Sequence, residues 1–397
     1  KESVWRYKEE WEHLTRRMGY WVNMEHPYVT YETSYIESLW RIVKEFWKKG
    51  LLEEDFKVVP WCTRCQTGLS THEVGQGYKE VKDTAVYVKF KLKSGQKIGE
   101  FVTDNNTYIL SWTTTPWTLP GNVALAINKN IEYGVIKTLS SDAQFIFAKT
   151  VQVLNRIPGE LLDISFTYVD GIPAIDLEKT LKKAFQGDDL IGKEYEPLFE
   201  IPELKTKTAY KIYPADFVTA EDGTGVVHTA VMYGEDDYRL GAKVGLPKFH
   251  TVDEQGRFIP SLGEGLGGRY VKSVETEKMI METLERKGNL LYTEQYKHDY
   301  PHCWRCATPL LYYARRGWWV KVTKVKDKLL KNNQTINWVP GRDGPALKNT
   351  GTGTAAGTLN ATWTTGLNFT CEFWIWVDSI TGSVQSIFAN SALTSGF

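Results

Sequence analysis

Net charge is missing from this sequence: 48 Lys and Arg residues are matched by 48 Asp and Glu residues in a chain of 397. That balance excludes the simplest signature of a nucleic-acid binder, a large overall positive charge, although it leaves room for local basic surfaces. No apolar run approaches the length of about 18 residues that marks a membrane-spanning helix. The first residues, Lys1-Glu2-Ser3-Val4-Trp5, carry no apolar signal core. The chain therefore reads as soluble and cytoplasmic, with no membrane partner. It also lacks an initial Met and opens in charged amphipathic sequence, which reads as a piece of something longer. A charged fraction of 24% with 42% hydrophobic residues excludes general disorder. The length suits two or three domains.

Cysteine is scarce, but its placement is informative. Four of the five residues form two C-x-x-C pairs, Cys62-Thr63-Arg64-Cys65 and Cys303-Trp304-Arg305-Cys306, and Cys371 stands alone. In a long chain with no export signal, such pairs point to metal before disulfides. Each pair puts two thiolates on one tight turn, and two turns complete a four-thiolate zinc site. Cys62, Cys65, Cys303 and Cys306 are therefore predicted to hold one structural zinc. The gap of 237 residues between the pairs predicts a whole domain inserted between the two halves of the knuckle.

Patterning divides the chain into four stretches. Residues 1–82 read as charged and helical around the first C-x-x-C, with a helix over Tyr35 to Lys49. Ser34 and Glu37 fit a capping box there, Ile36, Leu39, Trp40, Val43, Phe46 and Trp47 form an apolar face, and Gly50 stops the helix. Residues 83–298 read as a strand-rich α+β domain. Strands are predicted over Ala85 to Lys91, Tyr108 to Trp112, Val123 to Ile127, Tyr133 to Ile136 and Phe145 to Phe147. Helices are predicted near Asp237 to Lys243 and over Val274 to Lys287. Residues 299–342 return through the second C-x-x-C to a basic helix over Lys324 to Lys331. Residues 343–397 hold only four charged side chains, Asp343, Lys348, Glu372 and Asp378. Their alternating segment Phe369 to Asp378 reads as a strand with an aromatic face, and the change of composition at Arg342–Asp343 predicts a junction between unrelated sequences. The fold class is a multidomain α+β or α/β protein.

Two segments of the inserted region carry chemistry. In Ser111-Trp112-Thr113-Thr114-Thr115-Pro116-Trp117-Thr118-Leu119-Pro120-Gly121-Asn122, three hydroxyls stand at a strand end where prolines stop regular pairing. They can hold a water or a sugar hydroxyl without carrying charge. In Glu221-Asp222-Gly223-Thr224-Gly225-Val226-Val227-His228, the glycines let backbone approach a ligand around Thr224, and a short strand presents an imidazole. Asp236 and Asp237 then open a helix. A carboxylate, an imidazole and hydroxyls suit an aminoacyl group, the carboxylate taking its ammonium and the hydroxyls its ester and ribose.

These residues resemble the isoleucyl members of the class I aminoacyl-tRNA synthetases over about Lys1 to Arg342. The likeness rests on Trp112 to Asn122, on Gly223 to His228 with Gly234 to Tyr238, and on both C-x-x-C pairs. Tyr28 to Ser38 and Leu69 to Val74 also match. Leucyl and valyl relatives usually carry Thr-Thr-Arg-Pro where this chain has Thr113-Thr114-Thr115-Pro116. Val231 stands where the family usually has Pro, and Tyr31-Glu32 replaces a common Met-Asp. The resemblance implies a strand-rich editing domain inserted into a partial nucleotide-binding body, with the zinc knuckle at the junction. It implies hydrolysis of mischarged valyl-tRNA(Ile), with tRNA(Ile) as partner and a monomeric state. A second, hydrolytic sieve is needed because one methylene is worth only about 1–3 kcal/mol in a pocket, a general figure for which isoleucine against valine is itself the standard case. By motif, Asp237 would hold the α-ammonium and Thr113, Thr114 and Thr115 would position ester and water. His228 would exclude the larger isoleucine side chain, and Trp112, Asn122 and Thr224 would line the substrate site. The family's ATP motifs, His-x-Gly-His and Lys-Met-Ser-Lys-Ser, do not occur here. Isoleucine activation with ATP and Mg is therefore expected only of the full-length enzyme. The competing readings are a non-catalytic zinc module that binds RNA through Arg64, Arg305, Arg315, Arg316 and Lys321 to Lys328, and a carbohydrate-binding sandwich in the tail.

Overall fold

The computed structural model describes residues 5–20, 22–25, 27, 29–139, 141–169, 172–181, 183–221, 223–327, 335–341 and 344–350. The chain forms two compact units, Lys1–Lys321 and Val322–Phe397. The strands of the first unit are, in order, Leu52–Cys62 (β1), Thr67–Gly68 (β2), Tyr78–Lys91 (β3), Lys97–Ile98 (β4), Phe101–Val102 (β5), Thr107–Thr113 (β6) and Ala124–Ile127 (β7). They continue with Glu132–Lys137 (β8), Gln144–Ala148 (β9), Phe166–Val169 (β10), Ile172–Ile175 (β11), Lys183–Gln186 (β12), Lys211–Pro214 (β13), Val226–Thr229 (β14), Leu290–Pro301 (β15) and Leu311–Val320 (β16).

A six-stranded sheet in the order β12-β8-β9-β6-β3-β15 forms the frame. It is mixed, with β6 and β9 parallel and the other pairs antiparallel. Val86, Tyr87 and Val88 on β3 and Ile109 and Leu110 on β6 are completely buried, so this part of the sheet is covered on both faces. A three-stranded sheet, β13-β7-β14, lies against it. The two are stitched at β14, where Ser111 Oγ donates to Val226 O (2.9 Å) and Tyr133 Oη to Gly225 O (2.7 Å). Gly225 has φ +73°, and a Cβ there would meet Ala148 Cβ at 2.4 Å, so the close approach of the sheets requires glycine.

The boundaries expected at 82/83 and 298/299 fall on one long antiparallel ladder, two residues apart in register. Tyr296 pairs with Asp83 and Lys297 with Lys82. Both expected boundaries therefore fall within the β3–β15 ribbon. At its base, β1 pairs with β16 from Leu52↔Val320 to Trp61↔Leu311.

Several expectations need correction here. The region before the first C-x-x-C is not purely helical, since Leu52–Cys62 is an 11-residue strand. Its acidic residues had masked it; Glu54 pairs with Arg316 (2.8 Å) and Glu53 with Lys321 across the ladder to β16. The helix expected over Tyr35 to Lys49 runs from Thr33 to Lys48 with Glu32 at its N-cap, and no side chain caps it. Ser34 lies inside its first turn, so the Ser34/Glu37 capping box does not form. The box is found instead at Ser70 and Glu73, on the five-residue helix Thr71–Gly75. The apolar face of Thr33–Lys48 is exposed, with Trp40 at 66% and Trp47 at 58%.

In the second unit, Thr335–Gly341 (β17) and Gly344–Thr350 (β18) pair antiparallel, and the change of composition expected at Arg342–Asp343 lies outside the described residues. Of the basic helix expected over Lys324 to Lys331, Lys324 ends a 3₁₀ turn, Val322–Lys324, Lys326 and Asp327 are helical, and the rest lies outside the described residues. Cys371 and the strand expected over Phe369 to Asp378 lie outside them too. No helix among the described residues is long and apolar enough to cross a membrane.

Candidate functional site

The threonine segment leaves β6 at Thr113 and passes into a 3₁₀ turn, Pro116–Gly121. Pro116 suits the first position of that turn because its φ is already fixed and it needs no amide partner. Thr115 N–H donates to Thr113 Oγ1 (3.1 Å), and the two hydroxyl oxygens lie 3.2 Å apart. Thr114 lies between them in the chain and is half-buried. The turn then brings Thr118 back over Thr115, whose carbonyl accepts from Thr118 N–H (3.0 Å) and from Thr118 Oγ1–H (2.8 Å).

Thr118 joins the two halves of the site. Its Oγ1 lies 2.9 Å from Nε2 of His228, although 110 residues separate them. His228 is held in place by β14, where it pairs with Leu125 on β7. It is buried at 7% exposure, and burial lowers its imidazole to about 4, so the ring is neutral. Its Nδ1 is buried with no partner among the described residues.

Two residues further on, Ala230 N–H donates to Asp237 Oδ2 (3.0 Å). Asp237 occupies the first turn of the helix Glu235–Val244, whose N-cap, Gly234, has no side chain to offer. A Cβ on Gly234 would lie 2.7 Å from Asp237 Oδ2, so glycine makes room for the carboxylate to fold back. Enclosure by protein raises its carboxyl to about 7; the Ala230 N–H opposes that rise and Asp236 adds to it. Asp236, by contrast, is exposed and faces Arg239 at 3.6 Å. Val231 is buried and packs against Gly241 of the same helix, tying the loop after β14 to the element that carries Asp237.

The remaining expected residues make contacts within the fold. Thr224 is buried and its one hydroxyl donates to Leu110 O (2.7 Å), which leaves it no donor for a ligand. Asn122 Nδ2 donates to Ala124 O (2.9 Å) and its Oδ1 accepts from Tyr195 Oη (2.7 Å). Trp112 and Thr113 point to opposite faces of β6 by strand alternation. Trp112 is half-buried beneath Gly223, and its Nε1–H donates to Glu294 Oε1 (3.1 Å). Sequence reading gave Thr118 no role of its own. The available signal was its spacing of three from Thr115 across a proline, which in a 3₁₀ turn places both on one side.

The cysteines form a second constellation. The Sγ atoms of Cys62, Cys65, Cys303 and Cys306 all lie within 4.8 Å of one another. Cys62 and Cys306 are 3.5 Å apart, and Cys65 and Cys306 3.6 Å. A tetrahedral centre with Zn–S bonds of ~2.3 Å needs sulfurs roughly 3.8 Å apart, so the donor set fits zinc. The two turns are built alike. Gln66 and Ala307, each directly after a second cysteine, have φ of +51° and +56°. Their amides donate to Cys62 O and Cys303 O, both at 2.8 Å. Two non-glycine residues held in the left-handed region at matching positions mark backbone shaped to aim thiolates. Burial pushes the Cys62 thiol up to about 12, and a cation would be needed to hold it as thiolate at neutral pH.

The chain belongs to the class I tRNA synthetases of the I, L, M and V group, whose family pattern matches residues 1–349 and so runs past Arg342–Asp343.

Within that family its similarity is to isoleucine–tRNA ligases. The enzyme of Clostridium tetani is 45% identical over 356 residues, covering 88% of this chain and 31% of that protein. Those of Clostridium novyi (43% over 354 residues) and Bacillus thuringiensis (42% over 355) have the same coverage. The chain thus spans about a third of the length of these relatives. Solved structures similar to part of it include the leucyl-tRNA synthetase domain GlLeuRS-CP1 (TM-score 0.38, 13% identity, 53% of this chain and 100% of that one). The P. knowlesi cytosolic leucyl-tRNA synthetase editing domain gives 0.32, 15%, 53% and 86%.

Proposed function

We propose that residues 83–298 form an editing domain that hydrolyses valyl-tRNA(Ile). The observation that carries this reading is the Thr118–His228 hydrogen bond. It joins the threonine turn to the strand that leads, through Ala230, to the Asp237 carboxylate. In this reading Asp237 takes the α-ammonium of the valyl group as a charge-assisted hydrogen bond. The Thr113 and Thr115 hydroxyls orient the ester and a water. Hydroxyls are poor bases, so most of the acceleration comes from positioning. His228 limits the side chain that can enter. Trp112 remains at the rim, while Asn122 and Thr224 shape the site from behind.

Cys62, Cys65, Cys303 and Cys306 hold a structural zinc that ties the ribbon base to the rest of the body. Zinc would neutralise the buried thiolates there and takes no part in hydrolysis. Activation of isoleucine with ATP and Mg belongs to the full-length enzyme, and no step through ATP is drawn on the residues here. The protein acts in the cytoplasm as a monomer with tRNA(Ile) as partner. The RNA-binding zinc-module reading is disfavoured by pairing, since Arg305, Arg315, Arg316 and Lys321 each already face a carboxylate, Glu73, Glu254, Glu54 and Glu53.

Deacylation of valyl-tRNA(Ile) by the chain tests the proposal. Asp237→Ala should lose most of the rate because the ammonium loses its charged partner, and His228→Ala should admit isoleucyl-tRNA(Ile). An Asp237→Ala variant with unchanged deacylation overturns it.

A further inference from the structure

We infer that Thr118 is a positioning residue that fixes His228 as its Nε2–H tautomer, so that the ring presents a bare Nδ1 lone pair to a hydroxyl donor in the substrate complex. The inference deepens the editing reading and depends on it for the identity of the substrate. The tautomer itself does not.

The argument is one of proton supply. Thr118 Oγ1 lies 2.8 Å from Thr115 O and 2.9 Å from His228 Nε2, and it has one proton. Thr115 O can only accept. If the Thr118 proton goes to that carbonyl, Nε2 must carry a hydrogen and donate to Oγ1, and Nδ1 is left as an acceptor. If the proton goes to Nε2 instead, Nδ1 carries the hydrogen. It would then be an orphaned donor in a residue 7% exposed, because Nδ1 has no partner among the described residues. An unpaired buried N–H is rarer in folded proteins than an under-used acceptor, and leaving it unpaired costs its full desolvation. The first arrangement therefore prevails. The doubly protonated ring would also leave a buried donor unpaired, and burial opposes its charge.

An acceptor this enclosed, with no partner among the described residues, meets a substrate hydroxyl only if the chain around the ring moves as the substrate enters. In the proposed aminoacyl ester, the ammonium is already taken by Asp237, and the ester oxygens have no hydrogen to give. The donors that remain are the free hydroxyl of the terminal ribose and the attacking water, which share one chemistry, an O–H. An imidazole held near 4 is a weak base at neutral pH, so Nδ1 orients this donor and does not remove its proton.

The test is nitrogen-15 NMR of the histidine-labelled 397-residue chain between pH 5 and 8, with the His228 signals identified by their loss in His228→Gln. The expected spectrum has a protonated Nε2 and a bare Nδ1 that do not titrate in that range. Thr118→Val should abolish this fixed pattern and Thr118→Ser should restore it. A protonated Nδ1 in the wild-type chain overturns the inference, and so does a Thr118→Val spectrum identical to wild type. The wild-type spectrum keeps the idea testable even if Thr118→Val fails to fold. Where valyl-tRNA(Ile) is hydrolysed, Thr118→Val should slow it about tenfold, equivalent to losing one hydrogen bond, and Thr118→Ser should recover it. A substrate whose free ribose hydroxyl is replaced by hydrogen separates the donors. Disappearance of the tenfold effect assigns the ribose hydroxyl, and its persistence assigns water. If the wild-type chain cleaves no valyl-tRNA(Ile), the editing reading fails while the spectrum still decides the tautomer.

Discussion

Asp237 should make this protein less stable as pH rises. Its carboxyl is raised to about 7 in the folded chain, with burial as the leading cause. In the unfolded chain an aspartate titrates near ~3.9. Between those values the folded state keeps a proton that the unfolded state has released, so the unfolded state binds fewer protons and stability falls with pH. Each pH unit across the gap is worth ~1.36 kcal/mol, which gives about 4 kcal/mol in all, and about 3 kcal/mol of it is lost between pH 5 and 8. Asp237→Asn removes the titration and keeps an oxygen for the Ala230 amide. Urea unfolding of both proteins should therefore show the variant gaining on wild type by about 3 kcal/mol between pH 5 and 8. A difference that is the same at both pH values would refute the reasoning. The same substitution should abolish valyl-tRNA(Ile) hydrolysis, so the residue would cost stability where it serves function.

Three further outcomes are expected. Elemental analysis should find one zinc per chain, and Cys62→Ser should release it and loosen the base of the β3–β15 ribbon, seen as faster proteolysis there; a zinc-free wild type contradicts the donor-set argument. Gly225→Ala should destabilise the chain by about 2–4 kcal/mol, since it combines a left-handed backbone with a methyl 2.4 Å from Ala148 Cβ; unchanged denaturation would show that the two sheets can separate freely. Isoleucine-dependent ATP–pyrophosphate exchange by this chain should be absent, and measurable exchange would show that the missing ATP motifs have substitutes.

Elements buried on both faces were the easiest to read. Tyr108 to Trp112, Tyr133 to Ile136 and Phe145 to Phe147 are apolar runs between turn signals, and each matches a strand to within a residue or two. The helix over Val274 to Lys287 was equally clear, with Gly288 at φ +71° as its stop. Strands whose surfaces carry charge were not. Leu52–Cys62 and the outer half of Tyr78–Lys91 draw their pairing from partners more than two hundred residues away, which no local pattern contains. The capping box failed for a different reason. Ser34 and Ser70 carry the same Ser-x-x-Glu spacing, and only the point at which the helix begins separates them.

At the candidate site, sequence offers residue types but not hydrogen-bond directions. Thr113, Thr115, His228 and Asp237 could be picked out as groups able to hold an aminoacyl ester. That Thr224 and Asn122 spend their polar atoms on the backbone and on Tyr195 depends on contacts across β6, β7 and β14. The cysteines were the clearest signal of all, since two identical turns can be recognised at any separation.

The most direct test is single-turnover deacylation of valyl-tRNA(Ile) and isoleucyl-tRNA(Ile) by the unmodified chain, side by side. Rapid loss of the valyl ester with the isoleucyl ester left intact is the predicted result. Equal rates for the two esters, or no hydrolysis of either above the uncatalysed rate, would contradict the account.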